Sequence, residues 1–408
     1  MDDLRVPPEL LDTAVERAAE ICRLEDERTL AWQTDLTRIP APPFGEGPRA
    51  ARMEALLADA GASRVRTDEI GNVLADVPGP EGVAPLVLSA HLDTVFAAEV
   101  PIAVTREGDV LRGPGITDDG RGLAVVLAVV RALTDASVRL GRPVLVAATV
   151  GEEGLGNLRG ARHLVGPRGE GRTAAGFISV DGAGLDRIVS RGVGSRRFRL
   201  TVSGTGGHSW QDWGIANPIH ALAAAAHRVA SATPPADPKT TLTVARWGGG
   251  TSINAIPQEA WIEVDMRSTS EEELDRLEWL LRTQSERAVV DESVRGTGRA
   301  LRVALARVGH RVAGVTPSDH PLVRALLQAT EAVGVTPFLS ESSTDANAAM
   351  AAGIPAVTVG GGGEGGLSHT TDEWYRNIAG PEGVLRALYA VALFCGVEQP
   401  PYAPSTTE

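Results

Sequence analysis

The stretch "TVGEEGLG" places two glutamates, Glu152 and Glu153, just after the apolar run "RPVLVAATV". An acidic pair after a strand is ordinarily a hydrated turn. Two further apolar runs change that reading. "LVLSA" ends at His91, with Asp93 two residues on, and "GFISV" ends at Asp181. In an open parallel sheet, ligands bind beyond the carboxyl ends of the strands. Three runs that each deliver an acid or a histidine at that end point to a site. Histidine with several carboxylates is the donor set of zinc and related divalent ions. "GPGITDDGRG" adds Asp118 and Asp119 in a Gly/Pro-rich turn, and "GGLSHTTDEW" adds His369 after a glycine-rich run.

Spacing suggests separate tasks. Alternate residues of an extended chain share a face, so Asp93 is placed to accept the second ring N–H of His91 and fix its tautomer. Neighbours at a strand end point apart. If Glu153 holds a metal, Glu152 is left to take a proton from water as general base and pass it to a leaving amine. His163, His220, His227, His310 and His320 are read as ordinary surface or core histidines.

These residues need a scaffold. Apolar residues at helical spacing over 9–38 predict a helix ending before "IPAPPFGEGP", and a second helix near 46–60 stops at Gly61. Strand-like "APLVLSAH", "RPVLVAATV" and "AAGFISVD" alternate with helix-like "GRGLAVVLAVVRAL" and "GNLRGARHLV". Near-continuous apolar strands between helices predict an α/β fold, a largely parallel mixed sheet covered on both faces. After about residue 192 the pattern changes. "SRRFRLTVSG", "TTLTVARW", "EAWIEVDMRS" and "RALRVALARVG" read as strands, the first and the middle two alternating as half-exposed ones. The helix-like "NPIHALAAAAHRVASA" and "SEEELDRLEWLLRTQSERAV" lie among them, the latter with Ser270 and Glu273 at capping-box spacing. This predicts an inserted α+β domain with a one-sided antiparallel sheet. The first style returns with a helix near 319–333, the strand "IPAVTVG" and a helix near 381–396. The expected division is 1–192 and 313–408 for one domain and 193–312 for the insertion.

The chain has 408 residues, 43% hydrophobic and 22% charged, with a net charge of −13. The negative charge excludes nucleic acid and anionic membrane as expected partners, since both call for a basic face. Two distant cysteines, Cys22 and Cys395, form no CxxC pattern and fit a reducing compartment. The acidic start "MDDLRVPPELLDTAVERAAE" has no apolar signal core, and "GLAVVLAVVRAL" meets Arg131 short of a membrane span. The expected location is the cytoplasm.

Together, "SAHLDTV", "GPGITDDGRGLA", "VGEEGLG", "SVDGAG", "GTGGHSW" and "GLSHTTDEW" resemble, in order and context, the two-zinc metallopeptidases that include peptidase T, carboxypeptidase G, aminoacylase and succinyl-diaminopimelate desuccinylase. The resemblance runs from about residue 30 to 395. It implies a zinc-exopeptidase fold with an inserted lid and dimerisation domain. It implies two divalent ions per subunit, zinc or alternatively cobalt or manganese. His91 and Asp181 would bind one ion, Glu153 and His369 the other, and Asp118 would bridge them. Asp118 is taken as the bridge from its distance to Gly115, with Asp119 as the alternative. Asp93 would orient His91, and Glu152 would be the general base. His208 in "GTGGHSW" resembles the family histidine that stabilises the oxyanion, often in a partner subunit's site. Asn254 and Arg267 resemble substrate-contacting positions; Arg267 would grip a carboxylate or serve as an ion-pair partner. Closure of the inserted domain would bring His208 and Arg267 to the scissile carbonyl, with hinges near Gly192–Gly194 and Gly309–Gly314.

Two departures stand out. Arg121 occupies the region where the family often has a lysine. Asp181 stands where many relatives have glutamate, which resembles the aminopeptidase and aminoacylase side. The glycine run "GGGGEGG" is read as close backbone approach to a substrate, or as a flexible surface loop. The expected activity is amide hydrolysis by an exopeptidase, an aminopeptidase or di/tripeptidase. The alternatives are an N-acyl-amino-acid deacylase or carboxypeptidase, and a metal-binding scaffold that has lost catalysis. The expected partners are a small peptide or acyl-amino-acid substrate and a second copy of the chain. A nucleotide-binding reading lacks its GxGxxG after the first strand.

Overall fold

The structure, a computed structural model, describes residues 8–398. The expectations placed on the first seven residues and on 399–408 lie outside that range. The chain divides into two compact units, Val193–Gly314 and the segments flanking it.

In the flanking unit the long apolar runs become strands. Leu86–His91, Val144–Thr149 and Gly176–Val180 are buried at every position. Alternation explains how. Leu86, Leu88, Ala90, Val144, Val146 and Ile178 join one core cluster with residues of the helices Gly120–Asp135 and Gly380–Cys395. Val87, Leu145, Ala147 and Phe177 join another with Ala161, Leu164 and Ala349. Each strand thus presents apolar side chains to both faces.

The sheet order runs Ser63–Thr67, Val73–Val77, Val144–Thr149, Leu86–His91, Gly176–Val180, Ala356–Val359, Arg187–Gly192. The four strands from Val144–Thr149 to Ala356–Val359 are parallel. Antiparallel pairings flank them on both sides. Phe338–Ser342 adds a further parallel pairing on Arg187–Gly192, so the sheet is mixed and mostly parallel. His91 pairs in register with Thr149, which sets it level with the chain leading into Glu152.

Two elements differ from expectation. The span 9–38 holds two helices, Thr13–Leu24 and Asp26–Thr37, because Glu25 leaves helical geometry (φ −98°, ψ 21°) and caps both. The helix expected over "GNLRGARHLV" is only Arg159–Leu164, because Asn157 and Leu158 sit in the left-handed region (φ 52° and 60°).

The Val193–Gly314 unit is an antiparallel sheet in the order Thr240–Gly249, Glu259–Ser268, Gly194–Ser203, Arg302–Arg311. The helices Pro218–Ala230 and Glu271–Arg295 supply Leu222, Ala225, Leu274, Leu277 and Leu281 to the core formed by Phe198, Leu200, Ile262 and Val264. Intervening strand positions carry charge instead. Asp265 lies 3.0 Å from Arg197 and 2.8 Å from Arg267.

Candidate metal centre

His91 is the last residue of its strand and 2% exposed. Its Nε2 lies 2.9 Å from Asp118 Oδ1. The other oxygen of Asp118, Oδ2, lies 3.1 Å from Nε2 of His369. Glu153 Oε1 lies 3.0 Å from that same nitrogen. Ligand atoms of His91, Asp118 and Glu153 all fall within 4.8 Å of one another. The structure thus gathers four of the five expected ligands in direct contact. Asp181 follows the neighbouring strand, its N–H donating to the Val359 carbonyl at 2.9 Å.

The titratable groups of the cluster shift one another. Burial, then the charge of Asp118, pushes the Asp181 carboxyl up to about 7. Hydrogen bonds to Asp118 and Glu153 push His369 up to about 10. Burial would lower His91, but Asp118 outweighs it and holds the ring well above its ordinary value. Burial would raise Asp118, but His369 and His91 hold it well below the usual carboxylate range. The imidazoles and Asp181 carry protons where negative potential converges, and a divalent cation displaces such protons when it binds. The donor set, imidazole nitrogen with carboxylate oxygen, suits zinc and its neighbours.

The adjacent aspartates do different work. Asp119 is fully buried and caps the helix Gly120–Asp135 through the Gly122 N–H at 2.9 Å. It also accepts the His91 backbone N–H at 3.0 Å and the Gly182 N–H at 3.3 Å. Its oxygens are spent on backbone, while those of Asp118 face the two imidazoles.

Asp93 departs from the spacing argument. The oxygen at hydrogen-bond distance from His91 Nδ1 is its main-chain carbonyl, at 3.0 Å. Its carboxylate is 3.7 Å from that nitrogen. The carboxylate instead accepts the backbone N–H groups of Glu152 at 2.9 Å and Glu153 at 2.8 Å. A fully buried carboxylate on two successive N–H groups fixes the strand exit from which both glutamates project. Burial would raise this carboxyl, but contact with His91 and those N–H groups lowers it.

The glycine run packs closely inside its own unit. A Cβ at Gly360 would sit 2.1 Å from the Ala183 carbonyl oxygen, and one at Gly362 2.7 Å from Gly383 Cα. Arg121, fully buried, donates to the carbonyls of Gly361 and Gly380, both at 2.7 Å. The glycines permit close internal packing, and Arg121 braces it. Asp345 is a buried acid that escaped the sequence reading. Asp345 accepts the Thr149 hydroxyl at 2.5 Å, and its charge helps raise Asp181. Its signal was available, since "SSTDAN" follows the end of the strand Phe338–Ser342.

In the other unit, Gly207–His208 pairs with Ala255–Ile256, and the Ser209 N–H donates to the Asn254 carbonyl at 3.0 Å. His208 and Asn254 are therefore neighbours. His208 Nδ1 accepts the Trp210 N–H at 3.2 Å, which puts the ring proton on Nε2 and makes Nε2 a donor. Arg267 stands elsewhere. It is at the far end of the strand Glu259–Ser268, eight residues and on the order of 26 Å from Glu259. Its Nε donates to Asp265 at 2.8 Å. Within one chain, His208 and Arg267 do not meet at one carbonyl.

With this geometry in place, comparison with known proteins is decisive. A sequence model of the peptidase family M20/M25/M40 matches residues 87–393, a span that contains every residue of the cluster. The chain belongs to the M20 peptidase family. It is a hydrolase of peptide or amide bonds, and its family is metal-dependent. A Mycobacterium tuberculosis protein provisionally named succinyl-diaminopimelate desuccinylase DapE is 26% identical over 347 residues, covering 80% of this chain and 89% of that protein. Carboxypeptidase G2 of Pseudomonas sp. is 28% identical over 251 residues, covering 58% of this chain and 57% of the enzyme. Aminopeptidase PepT of Bacillus cereus has the same fold, with a TM-score of 0.72 at 22% identity over 90% of this chain and 98% of that one.

Proposed function

We propose that this M20 chain is a zinc-dependent exopeptidase, an aminopeptidase or di/tripeptidase with two ions per subunit. The observation that carries the proposal is Asp118, whose two oxygens contact the imidazoles of His91 and His369. A carboxylate so placed serves two ions at once. His91 and Asp181 would help hold one ion, and Glu153 and His369 the other. Bound there, the ions acidify a water and polarise the scissile carbonyl.

The chain's own residues do the rest. Glu152 takes the proton of the attacking water and delivers it to the leaving amine. Asp93 holds Glu152 and Glu153 through their backbone N–H groups. His208 offers its Nε2–H to the oxygen on which negative charge develops. The resemblance to the family supports a homodimer in which His208 reaches the partner's site. Arg267 would then grip a substrate carboxylate with the guanidinium nitrogens not spent on Asp265, and Asn254 would contact the substrate beside His208. Among the described residues no helix is long and apolar enough to cross a membrane; the free, buried Cys22 and Cys395 favour the reducing cytoplasm as the location.

Aspartate at position 181 resembles the aminopeptidase and aminoacylase side of the family, which disfavours the carboxypeptidase alternative. A second reading, an N-acyl-amino-acid deacylase, is favoured by the similarity to the Mycobacterium tuberculosis protein. Incubating zinc-loaded protein with tripeptides, dipeptides, N-acetyl and N-succinyl amino acids and C-terminal glutamate conjugates separates the two. Mass spectrometry is expected to show loss of N-terminal residues. Exclusive loss of acyl groups would replace the first reading by the second.

A further inference from the structure

Glu373 lies four residues after His369 and is fully buried. No cation faces its carboxylate at hydrogen-bond distance among the described contacts. It accepts three backbone N–H groups of the Asp118 loop instead. Oε2 takes the Gly115 N–H at 2.9 Å, and Oε1 takes those of Thr117 at 2.8 Å and Asp118 at 2.9 Å. The main chain adds to the seam. The Gly113 N–H donates to the Glu373 carbonyl at 2.9 Å, and the Thr117 hydroxyl to the Trp374 carbonyl at 2.9 Å. Trp374–Arg376 then pairs with Val110–Arg112.

We propose that Glu373 is a positioning residue, an internal carboxylate clamp that sets the bridging aspartate against His369. The inference rests on reading Asp118 and His369 as ligands. Three N–H groups turned toward one point form a concave donor site for an anion. Here the anion is supplied by the strand that follows the His369 loop. One of the three donors is the N–H of Asp118 itself, so the clamp acts on the ligand's own backbone. Only Thr370, Thr371 and Asp372 separate His369 from Glu373, and the Glu373 N–H closes a turn onto the Thr370 carbonyl at 3.3 Å. The 3.1 Å contact between Asp118 Oδ2 and His369 Nε2 is therefore enclosed in a short ring through Glu373. The Asp93 carboxylate does the same for Glu152 and Glu153. The cluster is thus held from outside by two carboxylates that bind backbone and no ion.

The test titrates Co²⁺ into chelator-stripped full-length protein and follows the visible spectrum. Glu373→Gln keeps the shape but turns an amide NH₂ toward one of the N–H groups. Its Co²⁺ affinity is expected to fall about 10- to 100-fold, the usual effect of losing an outer support of a metal site. Excess Co²⁺ restores the wild-type spectrum. Thr117→Val removes the hydroxyl bond to Trp374 but leaves the clamp, and is expected to bind as wild type. If the glutamine variant does not fold by circular dichroism, Glu373→Asp, which withdraws the charge by one carbon, is expected to show the same weakening. A folded Glu373 variant with a wild-type isotherm overturns the clamp alone. Equal weakening in Thr117→Val overturns it too, because general loop stability would then set the affinity. Wild-type protein that takes up no Co²⁺ overturns the clamp together with the metal centre.

Discussion

Asp93→Asn separates two accounts of the same buried carboxylate. If Asp93 orients His91 through its side chain, the variant loses metal. If it holds the two glutamates, the variant still fills with metal at saturating ion, though more weakly because Glu153 is a ligand, and it loses turnover. The structure favours the second, since His91 Nδ1 sits on the Asp93 main-chain carbonyl, which the substitution leaves in place. The amide oxygen can still accept one of the Glu152 and Glu153 N–H groups, but its NH₂ opposes the other. A buried donor left unpaired costs about 1–3 kcal/mol, and that is the expected loss of stability. A base displaced by about 1 Å costs on the order of 100-fold in rate, and that is the expected fall in kcat. KM is expected to change little. The assay combines denaturant unfolding, metal content by elemental analysis, and steady-state kinetics on whichever peptide the wild type cleaves. Wild-type kcat and stability would refute the clamp on the glutamates. Loss of metal at unchanged kcat per bound ion would restore the orienting role.

Other predictions address the remaining parts. Glu152→Ala is expected to keep its metal and lose about 10²- to 10⁴-fold in kcat, the range of a general base; normal turnover would remove the assignment. Gly360→Ala is expected to destabilise the unit by about 1–3 kcal/mol, because its Cβ meets the Ala183 carbonyl oxygen at 2.1 Å; a neutral substitution would show that the glycine run yields. Proton linkage follows from two raised groups. Asp181 goes from 3.8 to about 7, and His369 from 6.5 to about 10. Each binds its proton more tightly in the folded chain. Their support of the metal-free protein is complete below their ordinary values, and it is lost as pH rises through about 7 for Asp181 and about 10 for His369. A divalent ion must displace those protons, so its affinity is expected to rise with pH up to about 10, most steeply below about 7, with protons released on calorimetry in buffers of different ionisation enthalpy. A pH-independent affinity would contradict the coupling.

Much of the site was legible because its ligands fall at the ends of apolar strands. That rule marks His91, the Glu152–Glu153 pair and Asp181, a turn adds Asp118 or Asp119 and a glycine run His369, while the division into ligands, bridge and base comes from the family resemblance. What escaped notice is long-range backbone recognition. Asp93 and the glutamate N–H groups it holds lie 59 and 60 residues apart, and Glu373 and the Asp118 loop about 255. No local pattern marks a carboxylate whose partner is an amide hydrogen elsewhere in the chain. The packing role of the glycine run was hidden for a related reason. A glycine needed for packing against Ala183 and Gly383 looks in sequence like one needed for flexibility. The long helices and the alternating strands of Val193–Gly314 were legible from periodicity, whereas the break at Glu25 carries no Gly or Pro to announce it.

The central claim is that Asp118 joins two metal positions, one with His91 and Asp181, the other with Glu153 and His369. Anomalous diffraction at the zinc edge from zinc-loaded crystals tests it most directly. The account predicts two peaks per chain, one beside each oxygen of Asp118, with the peak beside Glu153 and His369 absent in His369→Ala. A single peak remote from Asp118, or two peaks that survive His369→Ala, would contradict it.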